Sequence, residues 1–312
     1  MTSATIERLR AVDRVVLLGA NGWFGRTMVD LLEEAYGDDL AARTELYARG
    51  GHRLSSSARR DLRVSPLSEL GSLSAQPATL LVDCAYPTQE QVTALGPEAY
   101  VEVVGELREQ RRAALEQLRP AAFVSLSSGA AKLFTDGLPM AERTQVYGEM
   151  KWLDERQMLE LCPELGVRLC IARVYAASGP HMTKASSYAL GDLIEQARAG
   201  GAIEIRAPHR VMRSYTLAAD TLELAVLASL GSAPERPELF ETGGEQVDLA
   251  ELARRVSLVV RGEEPELLLA EPDGSADDVY LGDPVRITQL AEMHGLALTD
   301  LDEQILRTAE NG

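Results

Sequence analysis

Tyr147 and Lys151 stand four residues apart, separated by Gly148, Glu149 and Met150. On a helix this spacing puts a phenol and an ammonium on one face, about one turn apart. A cation beside the phenol favours phenolate and draws the tyrosine pKa down from its reference of about 10, which suits general acid–base proton transfer. Upstream, the strand-like run Phe123-Val124-Ser125-Leu126 ends in Ser127-Ser128-Gly129. A hydroxyl at the carboxyl end of a central parallel strand faces the crevice where such sheets bind ligands. Ser128 is therefore suited to hydrogen-bond the oxygen of a reacting carbonyl or carbinol while Tyr147 moves the proton. Ser127 reads as a side chain that satisfies backbone groups at the strand end.

A second constellation lies near the N-terminus. The apolar run Val15 to Leu18 breaks into Gly19-Ala20-Asn21-Gly22-Trp23-Phe24-Gly25, followed by a helical pattern from Thr27 to Ala35. Strand, glycine turn and helix form the dinucleotide-binding context. Gly19 allows the tight turn, Gly22 lets backbone N–H groups approach a pyrophosphate, and Gly25 lets the helix pack on its strand. Gly19, Asn21, Gly22, Trp23, Phe24 and Gly25 are thus candidate cofactor contacts. The end of the next strand bears on which cofactor. A carboxylate there would accept from the adenosine ribose and repel a 2′-phosphate, but the chain reads Tyr47-Ala48-Arg49-Gly50-Gly51. This favours NADP(H) over NAD(H), with Arg49, and His52, Arg53 or Ser55, around the phosphate.

The elements that must position these groups follow from periodicity. Strand-like runs at 15–18, 45–48, 79–84, 122–126 and 168–172 alternate with helical patterns, among them 97–118 and 144–161. This predicts βαβ units in an α/β fold, a doubly wound parallel sheet of Rossmann type. Beyond Arg173 the alternation lapses into a helix near 187–199, short strands at 203–206 and 214–217, and a helix over 248–260 opened by Asp248 with Glu251 three residues on. Residues 265–278 are acidic and turn-rich, and read as a loop or mobile lid. The expected organisation is a dinucleotide-binding domain over 1–175 and a smaller C-terminal substrate-binding lobe over 176–312, with segments crossing between them.

Composition bounds the partners. The chain has 312 residues, 46% of them hydrophobic, and a formal net charge of −17. That charge argues against nucleic acid or an anionic membrane as partner and requires a locally basic site for any anionic substrate. Cys84 and Cys170 lie in strand-like runs and read as reduced thiols, which points to the cytoplasm. No run approaches a membrane span. His52, His181, His209 and His294 lack ligand spacing, so no metal is expected.

The glycine turn, the Ser-Ser strand end and Tyr-x-x-x-Lys, followed by Ala172-Arg173 and Gly179-Pro180, resemble the extended short-chain dehydrogenase/reductases of the NAD(P)-dependent epimerase/dehydratase branch. The segment Arg213-Ser214-Tyr215-Thr216-Leu217-Ala218-Ala219-Asp220 is similar to one of the family's later motifs. The resemblance implies Ser128, Tyr147 and Lys151 as the catalytic set, with Lys151 also holding the nicotinamide ribose. It implies that Asp83-Cys84-Ala85 passes the adenosine ribose and pyrophosphate, and that the nicotinamide lies against 173–179, which includes Tyr175. Arg213 would contact the diphosphate of a nucleotide-linked sugar, Asp220 would start a helix, and Gly129 and His181 join Ser128 as substrate contacts. A homodimer built on 97–118 and 144–161 is likewise implied.

Departures narrow the chemistry. The family's dehydratases carry an Asp-Glu pair after the catalytic hydroxyl residue, where this chain has Gly129 and Ala130, which disfavours dehydration. Ala131-Lys132-Leu133 and Ala176 replace residues of the usual pattern, so the nucleotide handle is weakened. The leading expectation is an NADPH-dependent reductase acting on a keto group of a nucleotide-activated or related sugar. A redox-neutral sugar epimerase on the same scaffold is the alternative, and a non-catalytic NADP(H)-binding sensor the alternative of another class.

Overall fold

The computed structural model describes residues 1–76 and 78–310. The chain forms two compact units, Met1–Arg173 with Leu222–Phe240, and Val174–Thr221 with Glu241–Gly312.

An eight-stranded sheet carries the first unit. Its strands are β1 (Arg14–Leu18), β2 (Thr44–Ala48), β3 (His52–Ser55), β4 (Asp61–Pro66), β5 (Thr79–Asp83), β6 (Ala122–Ser128) and β7 (Arg168–Val174), with β11 (Glu238–Glu241) arriving late in the chain. Their spatial order is β11-β7-β6-β5-β1-β2-β4-β3. β1 pairs in parallel with β2 and β5, and β5 in parallel with β6. Every residue of β1 and β5 is buried, as a parallel strand covered on both faces requires. β3 turns back antiparallel on β4 at the edge, a hairpin that periodicity did not signal.

The helices of this unit are α1 (Ser3–Arg10), α2 (Trp23–Tyr36), α3 (Leu40–Arg43), α4 (Glu90–Leu95), α5 (Pro97–Leu118), α6 (Gly129–Thr135) and α7 (Glu142–Leu165). α2 starts four residues before the expected Thr27, at Trp23, because Gly22 already serves as its N-cap. α5 buries Tyr100, Val104, Arg111, Ala114, Leu115 and Leu118, a single stripe at helical spacing. Leu115 and Leu118 pack with Met158 and Cys162 of α7 against Val16, Leu81, Phe123 and Ile171 of the sheet.

The second unit centres on β10 (Val211–Leu217), paired antiparallel with β12 (Glu245–Asp248) and parallel with β8 (Ala176–Ser178) and β14 (Asp278–Tyr280). A further pair joins β9 (Ile203–Ile205) to β13 (Leu267–Leu269) in parallel. Residues 265–278 are therefore not simply a loop. The leucine run within the acidic stretch finds an edge to pair with, and Asp278 opens β14. Its helices are α8 (Ala189–Ala199), α10 (Leu249–Arg261), α11 (Pro284–His294) and α12 (Leu301–Glu310), while α9 (Ala218–Gly231) leads the chain back toward β11. Leu193, Ile194, Leu252, Val256, Leu301 and Ile305 form its core. Asp248 caps α10 by accepting the Glu251 N–H at 2.9 Å, as the sequence suggested. No helix among the described residues is long and apolar enough to cross a membrane.

Candidate active site

The glycine turn is a cradle built by close backbone approach. Gly19 adopts φ +82°, and a Cβ there would lie 2.6 Å from the Ala85 nitrogen and the Cys84 carbonyl carbon. A Cβ on Gly25 would come within 2.0 Å of the Gly19 oxygen, whereas on Gly22 the nearest atom is 3.5 Å away. Gly19 and Gly25 thus clamp the turn between α2 and the segment after β5, while a side chain at Gly22 would meet only an ordinary contact. The Gly19 and Ala20 N–H groups donate to the Tyr47 carbonyl at 2.8 and 3.1 Å, which fixes the turn against the end of β2. No side chain caps α2. The N–H groups of its first turn lack intrahelical acceptors, and with the helix dipole they suit a diphosphate. A dinucleotide therefore fits the residues present.

Beyond β2, Arg49 is exposed and makes no ion pair or hydrogen bond among the described residues. His52 lies with Nε2 2.5 Å from Asn21 Oδ1, and Arg53 is held by Asp61 at 2.6 Å. Of the basic groups expected here, Arg49 is the unengaged one. Cys84 donates its N–H to the Leu18 carbonyl at 2.9 Å, and burial pushes its thiol pKa well up.

The elements that carry Ser128 and Tyr147 meet at a helix glycine. Ser128 ends β6 and at once caps α6, its Oγ accepting the Ala130 N–H at 3.2 Å. A Cβ on Gly148 would sit 2.5 Å from the Ala130 carbonyl oxygen. The turn of α7 that carries Tyr147 therefore lies backbone-close to the first turn of α6, two residues past Ser128. Only glycine permits that approach. Gly148→Ala is expected to push the two turns apart and lower kcat by about 10²-fold, the cost of an ångström-scale misplacement, with cofactor affinity retained. Steady-state kinetics alongside a cofactor titration check this, and an unchanged kcat would show that the close approach is dispensable.

Lys151 is 5% exposed. Its Nζ donates to the Leu126 carbonyl at 2.9 Å, lies 3.4 Å from the centre of the Tyr86 ring and 6.0 Å from that of Tyr147. The two tyrosine rings meet edge to face, with centroids 5.9 Å apart. Burial draws the Lys151 pKa from 10.5 down to about 8, with the Asp154 carboxylate opposing the drop. The side chain is thus largely cationic at neutral pH and close enough to stabilise a Tyr147 phenolate.

Beneath this pair lies a buried charge array. Arg111, 2% exposed, pairs through Nε with Asp83 and brings Nη1 to 3.4 Å from Asp154 Oδ2. Arg108 pairs with the other Asp154 oxygen, and Asp83 Oδ1 accepts the Ala85 N–H at 2.9 Å. Glu155 accepts the Ser127 hydroxyl at 2.5 Å and both arms of Arg173 at 2.9 and 2.7 Å. The Ser127 hydroxyl therefore serves a buried carboxylate rather than backbone groups. Tyr86, Arg111, Asp154 and Glu155 were not singled out from sequence. Arg111 left a signal, because its spacing from Tyr100, Val104 and Leu115 puts a charge in the buried stripe of α5.

The remaining candidates lie in the second unit. Tyr175 donates its hydroxyl to Glu241 at 2.9 Å and its N–H to Thr242 Oγ1 at 2.9 Å, and its ring packs tilted against that of Tyr280, centroids 4.7 Å apart. Arg213 is bound by Asp278, at 2.7 Å to the carboxylate and 3.1 Å to the carbonyl. His181 adopts φ +66°, a left-handed conformation that few non-glycine residues take. Asp220 stands in the first turn of α9, but its carboxylate accepts the N–H and hydroxyl of Thr299 at 2.7 and 3.1 Å, tying down the approach to α12.

Comparison with known proteins bears on this site. Residues 15–241 match the model of the NAD dependent epimerase/dehydratase family. The chain belongs to that family. It is thereby an enzyme of the extended short-chain dehydrogenase/reductase type. A comparison with curated protein sequences returns no match. Among solved structures, the UDP-N-acetylglucosamine 4-epimerase of Methanobrevibacter ruminantium, in complex with UDP-N-acetylmuramic acid, superimposes with a TM-score of 0.71 at 15% identity, covering 96% of this chain and 97% of that one. A dTDP-glucose 4,6-dehydratase from Streptomyces venezuelae with NAD bound gives 0.69 at 16%, covering 95% and 96%. The UDP-glucose 4-epimerase of Thermus thermophilus in complex with NAD gives 0.68 at 17%, covering 96% and 98%. At these identities the likeness concerns the fold. In this chain Gly129 and Ala130 follow Ser128.

Proposed function

We propose that this epimerase/dehydratase-family enzyme reduces a keto group of a nucleotide-activated or related sugar, with NADP(H) as the preferred cofactor. The observation that carries the reading is the buried Lys151 ammonium held 6.0 Å from the Tyr147 ring, on the helix that packs against the Ser128 cap. A dinucleotide whose diphosphate the Gly19–Gly25 turn would hold would supply the hydride from its nicotinamide. Tyr147 gives a proton to the substrate oxygen, Ser128 hydrogen-bonds the developing alkoxide, and Lys151 keeps the phenol acidic enough to ionise. Gly129 and Ala130 after the serine provide no carboxyl for removing or delivering the protons of a water elimination.

The unengaged Arg49 supports the cofactor preference, since a guanidinium there offers a bidentate charge-assisted partner to a 2′-phosphate and no carboxylate follows β2. Arg49→Ser is expected to weaken NADPH by ~10- to 100-fold, the worth of one such contact, and to leave NADH unchanged. Fluorescence titration of both cofactors reads this, and tighter binding of NADH to the parent enzyme would overturn the preference.

Redox-neutral epimerisation is the second reading, favoured by the 4-epimerases among the structural neighbours. The same three side chains would serve it. Mass spectrometry of the purified protein separates the two. A copurifying nicotinamide with no net absorbance change on adding sugar nucleotides supports the epimerase, and an exchanging cofactor oxidised in step with substrate supports the reductase.

A further inference from the structure

Lys151 has a neighbour that the proton-transfer set does not use. The Tyr86 ring centre lies 3.4 Å from the Lys151 Nζ and 5.9 Å from the Tyr147 ring, the two rings nearly perpendicular, so one side chain touches both members of the pair. The Tyr86 hydroxyl is buried and makes no hydrogen bond with any described residue. What Tyr86 presents to Lys151 and Tyr147 is its ring.

We propose that Tyr86 is a positioning residue of the enzyme: its ring face holds the Lys151 ammonium while the same ring packs perpendicular to that of Tyr147, fixing where the cation sits beside the phenol. The catalytic meaning rests on the reading of Tyr147 and Lys151 as the proton-transfer pair; the contact itself does not. The Leu126 carbonyl of β6 takes one N–H of the ammonium. The charged groups acting on it are Asp154 and Glu155 of its own helix, Asp83 from β5 and Arg111 from α5. The three carboxylates hold the proton on, while burial and Arg111 push it off. A desolvated ring face adds to the first side, because its quadrupole attracts the cation and not the neutral amine.

The sign of the effect follows. Removing the ring weakens the protonated form, so Lys151 gives up its proton at a lower pH. A desolvated cation–π contact corresponds to a shift of about one pH unit. The activity that depends on a cationic Lys151 should fall off on the alkaline side earlier by the same interval.

The chain makes the measurement direct, because Lys132, Lys151 and Lys184 are its only lysines. In protein labelled with carbon-13 at the lysine ε position, Lys151 is the buried resonance, identified by its loss in Lys151→Arg. Titration of the full-length protein by NMR is expected to give a midpoint of about 8 for the parent. Tyr86→Phe should leave it unchanged, since the ring is kept, and Tyr86→Leu should lower it by about one unit. If the leucine variant does not fold, a fluorinated phenylalanine at position 86 keeps the volume and depletes the ring face, and the same lowering is expected. A midpoint unmoved by leucine or by the fluorinated ring overturns the proposal.

The kinetic arm separates this idea from the one it rests on. Hydride transfer with an unshifted Lys151 refutes the role of Tyr86 alone. A shifted Lys151 in a protein that transfers no hydride to any keto sugar refutes the reductase reading and leaves the contact standing.

Discussion

Tyr147→Phe is expected to cut turnover by ~10²- to 10⁴-fold, the range that a positioned general acid–base group contributes. The substitution removes one oxygen and keeps the ring that meets Tyr86 edge to face. Stability should therefore stay within about 0.5 kcal/mol of the parent. Cofactor affinity should also hold, because the diphosphate cradle is made by the backbone of Gly19, Gly22 and Gly25, which the substitution leaves in place. The informative result is this combination of lost kcat, unchanged cofactor Kd and unchanged urea midpoint. Turnover surviving at the parent rate would remove Tyr147 from the mechanism and leave the buried Lys151 in need of another purpose.

Arg111→Met is expected to have the largest effect on folding. The guanidinium is 2% exposed and lies between Asp83 and Asp154, which are each 3% exposed. Methionine matches the stem but strands the buried Asp83 carboxylate and leaves Asp154 with Arg108 alone, and breaking a buried pair from one side costs ~3–5 kcal/mol. Urea denaturation checks the figure. The double variant Arg111→Met with Asp83→Asn should recover part of the loss, since it removes one stranded charge, and the two effects should be far from additive. A cost below about 1 kcal/mol would mean that Arg108 alone suffices for Asp154.

These two residues also show what a sequence can reveal. The Tyr147–Lys151 spacing, the glycine turn and the apolar strands β1, β5, β6 and β7 are local patterns, and each stands where periodicity puts it. The β3–β4 hairpin escaped because its strands are short and half polar, with Arg53 and Asp61 paired across it on the exposed side. β13 escaped for the opposite reason. Its leucines look like core, yet Leu268 and Leu269 are more than half exposed, and pairing with β9 is what makes the segment a strand.

Within the site, the places of Ser128 at a strand end and Lys151 on a helix could be read from the sequence, whereas the Asp83–Arg111–Asp154 array could not. Its members come from β5, α5 and α7, and nothing local links them. Gly148 lies between these cases. A glycine in mid-helix costs roughly 1 kcal/mol against alanine, so its presence beside Tyr147 already called for a close neighbour, but only the fold shows that neighbour to be the Ala130 carbonyl.

The sheet of the first unit has its edge strand β11 at Glu238–Glu241, encoded well after β7 ends at Val174. During synthesis, with residues added at roughly 5–20 per second, the ribosome needs several seconds to bring that strand out. Until then β7 presents an open hydrogen-bonding edge of buried, apolar composition. A nascent chain halted before Glu238 would thus be prone to pair with its neighbours on the polysome, and a chaperone that shields strand edges would matter most in that interval.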